Sequence, residues 1–288
     1  MTRRARAATL RASRRRGMRP SRAYNVFRVI ALASVVVVFI FPLVWLVLAS
    51  LKTQIDIYDP SKTFIFSPTL HNFKTVFGAQ AFLPFFRNSL IVGVVSTALS
   101  LVFAVPAAYA MSRFSMTKSS IMVLLARVIP SISLIVPWYF LFAKIGMVGG
   151  YGAMIISHMF LSVPLMVWIL ISFFDTLPIE LEEAAQVDGL TPIGAFVRVS
   201  LPLSIPGIAT AGILAFIFSW NNFLFSLILS GSNTKTLPVA IFNFIGYASI
   251  DWGGLMAASV SITVPIIAIA MFFQRYVVSG LTAGATKG

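Results

Sequence analysis

Five of the chain's eight carboxylates fall in one short stretch: Asp175, Glu180, Glu182, Glu183 and Asp188. Local rules make part of that stretch a helix. Pro178 suits a first turn, the glutamates suit the positive N-terminal end, and Gly189 suits the stop. The expected helix covers about 179–188 and presents Ala184 and Ala185 as a low surface with Val187 beside it. A helix under about 12–15 residues does not persist alone, so it must dock. A membrane-surface helix favours Lys and Arg against lipid phosphates, whereas this one is acidic and repelled by them. A separate protein with a basic groove explains the carboxylates better. A second amphipathic piece at 192–200 carries Phe196, Val197 and Val199, and Pro202 and Pro206 then redirect the chain.

Other residues with chemical potential are sparse. Trp220-Asn221-Asn222 joins a ring to two amides. Such a cluster binds sugars by stacking and hydrogen bonding, and it equally serves interhelical hydrogen bonds. His71 and His158 have no second ligand at metal spacing, and the absence of cysteine removes thiolate sites and disulfides. Gly189-x4-Gly194 is followed by Ala195 where a phosphate loop needs lysine, so no nucleotide site is expected. Arg127 is read as a cation near the cytoplasmic end of the third span, able to snorkel, with a buried partner as the alternative.

The elements that position these residues are membrane helices. The chain is 58 % apolar and 10 % charged, against about a quarter charged in a soluble domain. A crossing takes about 20 apolar residues. Six segments qualify: 26–49, 86–111, 121–142, 151–173, 205–230 and 254–276. Pro42, Pro106, Pro130, Pro137, Pro164 and Pro265 fall inside them and kink or break them locally. Small residues recur at Gly93, Ser96, Ser100, Ala104, Ala107 and Ala108, at Gly207, Ala211 and Ala215, and at Gly253, Gly254, Ala257 and Ala258. They allow close helix approach and a compact bundle.

Ten of the 22 basic residues lie between Arg3 and Arg28. They precede the first apolar run, which marks a cytoplasmic tail touching anionic lipid rather than a nucleic-acid face. No small-residue cleavage site follows, so the first span is read as uncleaved. Both termini and the acidic loop then lie in the cytoplasm. The organisation expected is a basic tail at 1–25, a six-span all-α domain at 26–276 with a loop at 174–206, and a second tail at 277–288.

Glu183-Ala184-Ala185, Asp188-Gly189, Phe196, Leu201-Pro202-Leu203 and Pro206-Gly207 resemble the EAA loop of binding-protein-dependent ABC importer permeases. Asn88-Ser89-Leu90, Trp220-Asn221-Asn222 and the ending Ser279-Gly280-Leu281-Thr282-Ala283-Gly284-Ala285-Thr286-Lys287-Gly288 are similar to the carbohydrate class, in particular the smaller permease subunit of the maltose type. The resemblance implies a type I importer fold and a prokaryotic cytoplasmic membrane. It implies a second homologous permease subunit, two ATPase subunits that carry ATP and magnesium, and an extracytoplasmic solute-binding protein. It assigns ATPase coupling to Glu182, Glu183, Ala184, Ala185, Asp188, Gly189, Phe196 and Pro202, with Glu183 meeting a basic residue. It leaves Trp220, Asn221, Asn222 and Asn88 as pathway candidates, and gives residues 279–288 and the loop 231–253 contacts with the ATPase and the binding protein. This chain itself binds no cofactor, metal or nucleic acid under that reading. A polyol, a glycerol phosphate or another solute remains an alternative cargo. A secondary transporter would need more ionisable residues in its spans, and an intramembrane enzyme would need convergent Ser, His or Asp groups.

Overall fold

A computed structural model describes residues 22–78, 82–247 and 249–283. Most of the basic tail and residues 284–288 lie outside the described residues. The described residues are mostly helical, with no strand among them. Its principal helices are α1 (Arg22–Ser50), α2 (His71–Phe77), α3 (Phe82–Arg113), α4 (Thr117–Leu125), α5 (Ser131–Lys144), α6 (Tyr151–Phe174), α7 (Glu180–Val187), α8 (Pro192–Leu203), α9 (Ile205–Trp220), α10 (Leu224–Leu229) and α11 (Trp252–Ala283).

Among the described residues, four helices are long and apolar enough to cross a membrane alone: α1, α3, α6 and α11. The other two expected spans are interrupted. Residues 121–142 divide into α4 and α5, and residues 205–230 divide into α9 and α10. Pro130 explains the first break, because it offers no N–H to the Ala126 carbonyl and disfavours helix at Ile129. The second falls at Asn221–Phe223, where the Asn222 side chain accepts from Phe225 N at 3.2 Å and restarts the helix as α10. The last helix outruns its expected end at 276 and continues to Ala283.

Helix α3 forms the spine. Its buried positions Ser89, Val92, Gly93, Ser96, Ser100, Ala104 and Ala108 recur every three or four residues, so one narrow face of small side chains meets α6 and α9. Gly207 shows how close this packing is: a Cβ there would stand 2.5 Å from the Phe173 ring. Other small residues anticipated for packing are buried too, with Ala107 half-buried. Helix α1 packs against α11 and is otherwise exposed.

A polar node crosses the interior. Ser96 and Ser219 share a hydrogen bond at 3.1 Å, and His158 Nδ1 lies 2.7 Å from Ser219 Oγ. His158 is fully buried and ties α6 to α9. At the end opposite α7, Asn88 donates to the carbonyls of Asn233 (3.0 Å) and Lys235 (2.9 Å) and accepts from the Tyr151 hydroxyl (2.7 Å). Thr234 donates to Gly149 O at 2.7 Å, which joins the same two loops.

Candidate functional site

The acidic helix α7 spans Glu180–Val187, one residue shorter at each end than the sequence indicates. Glu180, Glu182 and Glu183 occupy its first turn, against the positive end of the helix dipole. Gly189 ends it at φ +94°, a left-handed conformation that side chains resist. Leu190 N then donates back to Ala185 O at 3.0 Å.

Helix α8 follows at once. Thr191 caps it by accepting from Gly194 N at 3.1 Å, and Pro192 opens its first turn. Its later part, Phe196–Ser200, widens into a π-turn. Pro202 supplies no N–H to the Arg198 carbonyl, and Leu201 N reaches back to Phe196 O instead. Pro206 likewise leaves the Pro202 carbonyl without its helical donor. The chain bends by 71° between α8 and α9 at this point.

Glu182 holds the assembly together. It is 5 % exposed. Its Oε1 accepts from Arg113 Nε at 2.8 Å and Ser200 Oγ at 2.7 Å, and its Oε2 accepts from the Tyr109 hydroxyl at 2.6 Å. Arg113 also donates from Nη1 to Phe174 O at 3.1 Å and from Nη2 to Leu177 O at 3.3 Å. The guanidinium thus closes the C-terminal end of α6, where a cation is favoured. One carboxylate thereby bonds the ends of α3 and α8, and through Arg113 the end of α6. Tyr109 adds ring contacts to Phe196 at 4.4 Å and Phe174 at 5.6 Å between centroids. Burial would raise the Glu182 pKa, but the hydrogen bonds from Tyr109, Ser200 and Arg113, with the Arg113 charge, outweigh it and hold it below its ordinary value.

The residues assigned to coupling therefore divide. Glu182 and Ala185 face inward, and Phe196 is half-buried against Tyr109. Ala185 does not share an outward surface with Ala184, which corrects the expected pairing; a spacing of one residue turns them about 100° apart on a helix. The outward set is Glu183, Ala184, Val187 and Asp188, with Gly189 and Pro202 also exposed. Leu181 and Ile193 add exposed apolar surface beside it.

The pathway candidates are not brought together. Trp220 is 2 % exposed, packs its ring edge-on to Phe86 at 5.5 Å, and donates from Nε1 to Ile262 O at 3.3 Å. Asn88 is 1 % exposed and spent on the loop contacts above. Both are internal packing residues, since their polar groups are satisfied within the chain. Asn221 is exposed, but its amide bonds to Ile217 O at 2.9 Å in its own helix. Asn222 is half-buried and caps α10.

Sequence reading missed Tyr109, Arg113 and Ser200 as site residues. The available signal was the Tyr109-x3-Arg113 spacing, which puts both on one helix face at the end of a span.

This geometry has relatives. The family model described as binding-protein-dependent transport system inner membrane component matches residues 100–283, which include the whole Glu182 joint. The sulfoquinovosyl glycerol transport system permease protein SmoH of Agrobacterium fabrum is 36 % identical, over 91 % of this chain and 93 % of that one. The trehalose/maltose transport system permease protein MalG of Thermococcus litoralis is 34 % identical, over 94 % of this chain and 100 % of that one. In solved structures, a chain of a bacterial ABC transporter that imports the acidic polysaccharide alginate superposes with a TM-score of 0.76 at 18 % identity, covering 89 % of this chain and 98 % of that one. That likeness extends the shared fold from the loop to nearly the whole bundle. By the family match and these identities the chain belongs to the binding-protein-dependent transport system inner membrane components, and it is a multi-pass permease subunit of an ABC importer rather than an enzyme.

Proposed function

We propose that this subunit forms half of the translocation pathway of an ATP-driven carbohydrate importer in a prokaryotic cytoplasmic membrane. The observation that carries the reading is the Glu182 joint, which fixes an acidic helix rigidly to two spans while leaving Glu183, Ala184, Val187 and Asp188 outward. A helix held that way transmits a push instead of absorbing it. The carbohydrate assignment is supported by relatives named for trehalose/maltose and sulfoquinovosyl glycerol transport.

The complex contains a second homologous permease subunit, two ATPase subunits carrying ATP and magnesium, and an extracytoplasmic solute-binding protein. Both termini and the α7–α8 end face the cytoplasm, and the membrane lipid covers the outer faces of the bundle. Closure of the ATPases on ATP moves α7 and shifts the bundle between inward-open and outward-open packings. Shifting a population from 1:99 to 99:1 takes about 5.5 kcal/mol of differential affinity. An exposed pair made by Glu183 supplies about 0–1 kcal/mol. The apolar surface of Val187, Leu181 and Ile193 must supply most of the rest.

The test is purification from native membrane, with Val187→Cys crosslinked to whatever binds there. An ATPase subunit captured at that position, and ATP-dependent sugar uptake by the reconstituted complex, is the expected result. Capture of no ATPase, or position 187 reactive only from outside, defeats the reading. Uptake of a polyol or glycerol phosphate but of no sugar replaces the cargo alone.

A further inference from the structure

Arg127 lies within the expected third span, and no hydrogen bond or ion pair answers its guanidinium among the described residues. It sits in the break between α4 and α5. The backbone there tightens, with Arg127 N donating to Leu124 O and Val128 N to Leu125 O, both at 3.0 Å. Pro130 leaves the Ala126 carbonyl without a helical donor. Arg127, Val128, Ile129 and Pro130 are all exposed.

The packing against α6 places this turn near mid-depth: Ala126 shares a groove with Phe160, Val163 and Pro164, at the middle of α6. This differs from the position near one end, within snorkelling reach of water, that the sequence indicates.

Lipid does not accommodate this combination. Non-helical backbone at membrane depth occurs where it is buried in protein or lines a water-filled cavity. An arginine at the bilayer centre is expensive, and such residues mark solute pathways. Here an unwound backbone and an unanswered guanidinium coincide on one exposed surface, with the exposed Ser133 close by in sequence.

We propose that the turn at 126–130 lines the solute pathway at mid-depth, and that Arg127 is a specificity-determining residue there for solutes bearing a carboxylate, sulfonate or phosphate. Its planar fork of N–H donors matches two oxygens of such a group, and its fixed charge makes the local path attract anions. This rests on the reading that the chain forms half of a solute pathway, and it adds charge preference to that reading.

The chain has no cysteine, so one introduced thiol reports without background from this subunit. Val128→Cys is placed in the full complex in membrane vesicles and reacted with an anionic and a cationic methanethiosulfonate. Labelling is read on this chain by mass spectrometry, without nucleotide and after trapping with ATP and vanadate. Both reagents should label in at least one state. Adding Arg127→Gln should lower the anionic-to-cationic rate ratio about tenfold, whereas Arg127→Lys should preserve it. No labelling in either state would put the turn against lipid or a partner subunit and overturn the proposal. An unchanged ratio in Arg127→Gln would overturn the role of the side chain. Failure of the carbohydrate reading shows separately, as absent sugar uptake with labelling intact.

Discussion

At the end bearing α7, Glu182 gathers three side-chain donors around one buried charge. At the opposite end, Asn88 gathers two backbone carbonyls and one phenol with no charge involved. Both hubs join α3 to distant loops, but they fail differently. Removing one partner from a buried ion pair strands the other charge in a poorly solvated place. A lost neutral bond costs much less, and neutral bonds separate one by one. Under the proposed reading, that contrast predicts a charged joint that yields as one unit with α3 and α6 and a neutral end whose bonds yield one at a time.

The largest expected effect breaks the charged joint. Arg113→Met should destabilise the α7 region by about 3–5 kcal/mol, because Glu182 stays buried without its cation. Hydrogen exchange at residues 180–187 in the detergent-solubilised complex measures it, and protection like that of the parent would remove the basis of the comparison. The same joint has a pH signature. Its carboxyl is held below the ordinary value of 4.5, so its stabilisation is present above that value and is lost as pH falls through the lower, folded one. Protection of α7 should therefore persist from neutrality to about pH 5 and collapse only in stronger acid.

Asn88→Ala should cost about 1–3 kcal/mol, read as faster exchange at residues 233–237 with α7 unaffected. Parallel loosening of α7 would show that the two ends are not independent. Gly189→Ala should cost about 1–2 kcal/mol through its left-handed backbone, lowering the melting temperature of the purified complex. Glu183→Gln should change the stability of the subunit by less than about 1 kcal/mol, since that side chain is exposed. Its effect belongs to binding of the ATPase, and a marked loss of stability would mean that Glu183, like Glu182, is built into the fold.

Much of this was legible in advance, for reasons that mark where legibility stops. Composition placed the chain in a membrane, and small-residue spacing found the buried face of α3. Local capping rules located α7 within one residue at each end. The inward turn of Glu182 was not legible, because its partner Arg113 lies 69 positions away and belongs to another helix. Nor was the burial of Trp220, whose indole is satisfied by Ile262, 42 positions on. A lone tryptophan beside two amides reads the same whether it faces a sugar or a core. The two breaks differ in this respect: Pro130 marked a local kink or break in advance, whereas the expected span 205–230 ran straight through Asn222, whose bond to Phe225 N only the structure shows.

The final helix carries a consequence of its own. Thirty-two residues of α11 extend about 48 Å, against an apolar layer of about 30 Å. A rod that long must either lean steeply or stand proud of the bilayer by several turns. A few degrees of rocking inside the membrane then sweep its far tip through a larger arc. A spectroscopic label near Ala283 would magnify small movements of the bundle as the needle of a gauge does.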